Sequence, residues 1–132
     1  MLVNQNHSLL LGQNTTIRST IPRHQRSPYV PEHRLFEQVM LNIIKNSIES
    51  IGENGKIVVE TAASPARIVI TDNGAGILPD DKERLFSPFF STKANGQGLG
   101  LMFVREILLK HNCRFSLLTG NDGLTRFEIV FP

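Results

Sequence analysis

Thr71-Asp72-Asn73-Gly74-Ala75-Gly76-Ile77 is the stretch on which the reading of this chain turns. Ahead of it, Arg67-Ile68-Val69-Ile70 is a short β-branched run with the composition of a buried strand. Behind it, Leu78-Pro79 leads into Asp80-Asp81, an acidic opening for a short helix over 79–86. A carboxylate at a strand end, followed by two glycines, sets a fixed acceptor beside backbone with almost no side-chain bulk. A flat, nitrogen-rich ring would fit against such a surface. Taken alone, Asn-Gly between apolar segments reads more readily as a tight turn. Two further stretches bear on the choice.

The first lies upstream. From Glu32 to Ile51, Leu35, Phe36, Val39, Met40, Ile43, Ile44, Ile48 and Ile51 recur at helical steps and form one wide apolar stripe. Asn42 and Asn46 fall on its polar border, about 40° apart at 100° per residue. Asparagine is a mediocre residue inside a helix because its amide competes for backbone hydrogen bonds. Amide oxygens are hard, neutral ligands suited to magnesium, which keeps several waters and takes phosphate oxygens as well; a solvated helix edge is the plainer alternative. The second stretch is Gly96-Gln97-Gly98-Leu99-Gly100, which runs directly into a helical pattern from Leu101 to Asn112. Free backbone N–H groups and a positive dipole end meet there, a natural seat for phosphates. The spacing is neither a Walker loop nor a dinucleotide fingerprint. Lys93, just before it, is within sequence reach of a phosphate.

Around these stretches the chain reads as strand 15–21, the long helix, a strand pair over 56–61 and 67–71 joined through Ser64-Pro65, the two glycine loops with a short helix between them, the second helix, and a final strand pair near 114–119 and 125–131. The basic, proline-bracketed segment before Pro31 reads as a loop with a short extended piece at Tyr29-Val30. Residues 1–14, rich in Asn, Gln and Ser, read as a linker or poorly ordered tail, and residues 15–132 as one domain. Adjacent strand pairs with few helices between them suggest an α+β two-layer sandwich, with a mixed, mostly antiparallel sheet covered by helices on one face. At 132 residues the chain is long enough to bury a core unaided. A net charge of +2 gives no call for nucleic acid. Cys113, the single cysteine, allows no internal disulfide and indicates a reducing compartment. No run is long enough to cross a bilayer.

Taken in order, these motifs resemble the ATP-binding catalytic domain of sensor histidine kinases, within the GHKL group that also holds DNA gyrase, mismatch-repair ATPases and heat-shock chaperones. Leu41-Asn42-Ile43-Ile44-Lys45-Asn46-Ser47 is similar to the family's asparagine box and Asp72-x-Gly74-x-Gly76 to its first glycine box. Phe86-Ser87-Pro88-Phe89-Phe90 resembles the phenylalanine box, and Gly96-x-Gly98-x-Gly100-Leu101 the second glycine box. Gly123-Leu124-Thr125-Arg126-Phe127 with Pro132 resembles the terminal pattern. The resemblance implies a Bergerat fold with ATP and Mg²⁺ as ligands. It implies that Asp72 accepts from the adenine amino group, with Thr125 supporting through water and Gly74, Gly76 and Ile77 forming the base pocket. Asn46, with Asn42 beside it, would hold magnesium. Phe89, Phe90, Lys93, Gly96, Gly98, Leu99, Gly100 and Leu101 would surround the phosphates under a short lid, and Asn42, Asn46 and Lys93 would carry the catalysis. Ser47, Gln97 and Leu124 depart from the usual residues; Gln97 removes a frequent hydroxyl contact from the phosphate loop.

The implied activity is transfer of the ATP γ-phosphate to a histidine on a separate helical dimerisation domain of the same parent protein, with a response regulator engaged indirectly. The implied location is cytoplasmic, whether or not the parent is membrane-anchored. No helical hairpin carrying such a histidine is visible, and His7, His24, His33 and His111 read as structural or surface residues, so the chain reads as a catalytic fragment. The competing readings are a GHKL ATPase clamp, a nucleotide-binding module without catalysis and a serine kinase of the anti-sigma-factor type. In the hydrolysing members a glutamate precedes the magnesium asparagine by one helical turn. Asn42 occupies that slot here, and neither Glu37 nor Glu49 does. Residues 89–98, rich in glycine and poor in helix formers, are expected to be the most mobile part of the empty domain. Hydrogen exchange across them is expected to slow when nucleotide and magnesium are added; equal rates in both states would remove the lid.

Overall fold

The computed structural model describes residues 5–11, 15–21, 33–88 and 100–132. Its elements are β1 (Gln5–Leu11), β2 (Thr15–Ile21), α1 (His33–Ser50), β3 (Lys56–Ala63), β4 (Ala66–Asp72), α2 (Gly100–Lys110), β5 (Arg114–Thr119) and β6 (Thr125–Val130). They form one six-stranded sheet in the order β1-β2-β3-β4-β6-β5. Only β2 and β3 run parallel. That pair is the one joined across a helix, as a parallel connection requires, and every other pair is antiparallel.

Strand alternation explains why one face is covered. Ile57 and Val59 of β3, Ile68, Ile70 and Asp72 of β4, Thr125, Phe127 and Ile129 of β6, and Phe115, Leu117 and Thr119 of β5 occupy paired rungs and therefore the same face. Val39 and Ile43 of α1 and Val104 and Leu108 of α2 bury against this apolar surface, with Met40, Ile44, Leu101 and Ile107 at its margin. The opposite face carries Arg67, Glu128 and Arg126, with Arg67 and Glu128 paired at 3.6 Å. Phe86 anchors the chain after the first glycine loop, edge-on to Phe115 at 5.3 Å and to Phe127 at 6.2 Å. Such aromatic pairs contribute about 0.5–1.5 kcal/mol beyond their buried area.

The expected two-layer α+β sandwich is present, with four local differences. Gln5–Leu11, within the stretch read as a tail, is a strand paired rung for rung with β2. Its polar Asn and Gln content hid a segment whose backbone hydrogen bonds, rather than side-chain pattern, place it at the sheet edge. The short helix expected over 79–86 is only a 3-10 turn, Pro79–Asp81, continued by turns. Ile48, assigned to the apolar stripe of α1, is 38% exposed: it stands about 140° around the helix from Ile43, at the stripe's border, while Ile51 still packs on the core. The second helix ends at Lys110, where Asn112 adopts φ +57° and the Cys113 N–H returns to the Leu108 carbonyl at 2.9 Å. Tyr29-Val30 lies outside the described residues.

The turn between β5 and β6 is pinned by Asp122, which accepts from both terminal nitrogens of Arg126 at 2.6 and 3.2 Å and from the Leu124 N–H at 3.0 Å. The Arg126 hydrogen bond, followed by the Leu124 N–H, lowers the Asp122 carboxyl to about 2. A lowered carboxylate holds its partners fully above the ordinary range near 4 and releases them as pH falls through about 2. The turn that aligns β5 with β6 therefore keeps its clasp at any neutral or mildly acidic pH.

Candidate functional site

Asp72 is the last residue of β4 and is 5% exposed. Its Oδ1 accepts the Gly74 N–H at 2.9 Å, which folds the chain tightly over the strand end. A carboxylate has about four acceptor positions, so this single backbone donor leaves capacity for a ligand donor. The loop beyond is fastened on three sides. Gly74 lies so close to α1 that a Cβ there would overlap Ser50 Oγ and stand 2.7 Å from the Ser50 carbonyl. The Ala75 N–H donates to that same carbonyl at 3.2 Å, satisfying one of the acceptors a helix leaves open at its C-terminus. Asn73 clasps the start of β3: its Oδ1 accepts the Lys56 N–H at 2.7 Å and its own N–H reaches the Lys56 carbonyl at 3.3 Å. Gly76, at φ +79°, drops the chain onto Thr119, whose hydroxyl accepts the Ile77 N–H at 2.9 Å.

Thr125 sits directly opposite Asp72 in the β4–β6 ladder and is 6% exposed. Its hydroxyl shares a 2.9 Å hydrogen bond with that of Thr119. Asp72, Thr125, Gly74, Gly76 and Ile77 are thus brought together at one end of the sheet.

Asn42 and Asn46 lie on α1 one turn apart, both half-buried. Asn42 turns toward α2: its Oδ1 is 3.7 Å from the position a Cβ would take on Gly100, the first residue of that helix. An amide oxygen therefore stands beside free N–H groups and the positive end of a helix dipole. Leu101 packs against the core directly behind. Phe89, Phe90, Lys93, Gly96, Gly98 and Leu99 lie outside the described residues. Among the described residues no group of three His, Cys, Asp or Glu side chains converges on a metal position. Neutral amide oxygens next to a helix N-terminus fit magnesium of the kind held through a few protein oxygens, waters and substrate phosphates.

Ser47, Asp72 and Thr125 are the polar residues buried among those described. Two of them form the sheet-end row, and the third follows Asn46 on α1, one turn ahead of Ser50. Burying polar groups is costly unless they are hydrogen-bonded, so the pairing of Asp72 with Thr125 at one sheet end marks that end as more than a fold element.

A family model described as histidine kinase-, DNA gyrase B-, and HSP90-like ATPase matches residues 32–132. The chain belongs to this family. Among its relatives, the sensor histidine kinase ZraS of Escherichia coli O157:H7 is 36% identical over 134 residues, covering 96% of this chain and 29% of that protein. The signal transduction histidine-protein kinase AtoS of Escherichia coli K12 is 40% identical over 114 residues, covering 83% of this chain and 18% of that protein. The chain thus spans under a third of the length of either sensor. Among solved structures, the nucleotide-free catalytic domain of histidine kinase ThkA superposes with a TM-score of 0.67 at 33% identity, covering 77% of this chain and 68% of that one. Mycobacterial sensor histidine kinase MprB superposes with a TM-score of 0.72 at 25% identity, covering 90% and 82%. The part of such sensors to which this chain corresponds is their ATP-binding kinase domain.

Two residues that sequence reasoning did not single out complete the GHKL site, Ser50 and Thr119. Thr119 had a usable signal, because counting back through the turn over 120–124 sets it opposite Thr125. Ser50 had none, since its contact with Gly74 spans separate elements. The close approach at Gly74 has a direct consequence. Gly74→Ala is expected to destabilise the domain by about 1–3 kcal/mol, the usual cost of forcing extra bulk into a packed contact. Gly52→Ala, where a Cβ meets nothing within 4 Å, is expected to be nearly neutral. Urea unfolding of the two variants makes the comparison.

Proposed function

We propose that the domain binds ATP with Mg²⁺ and transfers its γ-phosphate to a histidine on a separate helical domain of its parent protein. The observation that carries this reading is the span of α1. Near its middle Asn42 faces the start of α2, and about two turns later Ser50 holds the Asp72 loop. A nucleotide lying along α1 would then have its base at Asp72 and its phosphates at Asn42, Asn46 and the α2 N-terminus. Asp72 accepts from the adenine amino group, Thr125 supports it, and Gly74, Gly76 and Ile77 let the ring lie against backbone. Lys93, Gly96, Gly98, Leu99, Gly100 and Leu101 surround the phosphates, with Phe89 and Phe90 ahead of them. Asn46, with Asn42 beside it, would hold magnesium, whose positive charge would offset that of the phosphates.

In the transfer, an imidazole nitrogen of the acceptor histidine forms the new N–P bond. The bond between the γ-phosphorus and the bridging oxygen breaks, and ADP leaves with that electron pair. The chain's own residues orient the triphosphate and exclude water, while any base that takes the imidazole proton belongs to the partner domain. Asn42 is what separates this from hydrolysis. A neutral amide cannot accept a proton from water, and general-base help is worth about 10²–10⁴-fold. Glu49 does not stand in for it: seven residues further along α1, about 10 Å by helical rise, it is paired with Lys45 at 4.0 Å. A response regulator would receive the phosphoryl group from the histidine rather than from this domain. The chemistry suits a cytoplasmic, ATP-rich setting, and no helix among the described residues is long and apolar enough to cross a membrane.

Two measurements test the reading. Asp72→Ala is expected to weaken ADP binding about tenfold to a hundredfold in calorimetry, the value of a buried hydrogen bond to a charged group. Equal affinity of the native chain for ADP and GDP would remove the adenine assignment. The isolated domain is further expected to hydrolyse ATP barely above background and not to label itself. With its parent's helical domain added, an acid-labile, base-stable phosphoryl group should form on that partner. Vigorous hydrolysis by the domain alone, abolished by Asn46→Ala, would instead assign it to the ATPase clamps.

A further inference from the structure

Thr119 closes β5, and its hydroxyl has two partners. It accepts the Ile77 backbone N–H at 2.9 Å and shares a 2.9 Å hydrogen bond with the Thr125 hydroxyl. Thr119 pairs directly with Thr125, and Thr125 directly with Asp72. Directly opposed residues share a sheet face, so the three polar groups form one row across β5, β6 and β4. Asp72 and Thr125 are buried, while Thr119 is exposed at the outer end of the row.

The Thr119–Thr125 bond can run in either sense, and its sense decides what Thr125 offers beside Asp72. The Ile77 N–H at one end only donates, and the Asp72 carboxylate at the other only accepts. When Thr119, with one lone pair taken by Ile77, gives its proton to Thr125 Oγ1, the Thr125 proton is left for a group beside Asp72. Neighbouring hydrogen bonds aligned in this way strengthen one another.

We propose that Thr119 is a positioning residue for base selection, holding the Thr125 hydroxyl as a donor beside the Asp72 acceptor. This rests on the nucleotide reading above. An acceptor next to a donor matches a 6-aminopurine, which offers an amino group beside an unprotonated ring nitrogen. A 6-oxopurine offers the reverse, a carbonyl beside a ring N–H. Without the Thr119 hydroxyl, Thr125 is free to turn its proton away and present a lone pair, which suits the wrong ring. Gly76 couples the same residue to the loop, since a Cβ there would stand 3.2 Å from the Thr119 methyl carbon.

The test compares ADP and IDP, each with magnesium, binding to the intact chain, to Thr119→Val and to Thr119→Ser. Valine keeps the shape and removes the hydroxyl; serine keeps the hydroxyl. T119V is expected to weaken ADP binding about threefold to tenfold, the range of one neutral hydrogen bond, and to change IDP by less than about twofold. T119S should restore the native preference. The Ile77 amide proton should shift upfield in T119V and return in T119S. An unchanged ADP-to-IDP ratio in T119V, or an equal loss for both nucleotides, overturns the proposal while leaving the nucleotide reading intact. A native chain with no preference for ADP removes the reading beneath it and the proposal together. Should T119V not fold, Thr119→Ala carries the same comparison.

Discussion

The site depends on how closely Gly74 lies against the last turn of α1. No side chain fits between them, so Gly74 brings backbone onto backbone, and the Ala75 N–H can close on the Ser50 carbonyl at 3.2 Å. One contact then does two jobs. It satisfies an open acceptor at the end of α1, and it holds the loop whose Gly74 N–H fixes the Asp72 carboxylate. Because α1 is a rigid rod, fixing its end relative to β4 also fixes Asn46 and Asn42 one and two turns back. The two halves of the site are thus positioned relative to each other by a helix rather than by a loop.

Much of this was legible in the chain, because the signals were local. The stripe on α1 and the β-branched runs of β3 and β4 are periodic patterns whose period follows from backbone geometry. Asp72, Gly74 and Gly76, which alone read as a tight turn, became legible as a site through their order with the asparagine pair and the second glycine loop. What escaped was non-local. β1 carries an unremarkable polar composition, and only its ladder with β2 makes it a strand. Ile48 kept the helical period yet stands at the border of the stripe, a matter of how wide a face the sheet covers. Pro79–Asp81 had the acidic start of a helix but closes only a single 3-10 turn, because Phe86 pulls the following residues onto Phe115 and Phe127. Tertiary packing decided each of these.

The sheet divides labour between its faces. One carries the core, and the other carries exposed pairs such as Arg67 with Glu128, whose individual contribution to stability is small. The β5–β6 hairpin is a different case, because its Asp122–Arg126 clasp sits at the turn that sets the register of Thr119 against Thr125. A slip of one residue there would move every side chain of β5 to the other face. The clasp thus matters less for its own energy than for the alignment it preserves.

Residues that break local rules gather at one place. Asparagines sit in the middle of a helix, Ser47 is buried on that same helix, Asp72 and Thr125 are buried at a sheet end, and two glycines admit approaches that no side chain would allow. Scattered through the molecule, such features would each lower stability without return, and a sequence under selection for folding alone would replace them with better helix formers and apolar residues. Around the Asp72 loop, hydrogen bonds are shared instead: Asp72 with Gly74, and Thr119 with Ile77 and Thr125. Each bond removes a desolvation cost that its neighbour would otherwise carry. The groups left with acceptor capacity, the Asp72 carboxylate and the Asn42 amide oxygen, lie at the two ends of this arrangement. A ligand satisfying both must be long, with a donor at one end and at the other a group suited to an amide oxygen beside a helix N-terminus, and the proposed nucleotide has that form.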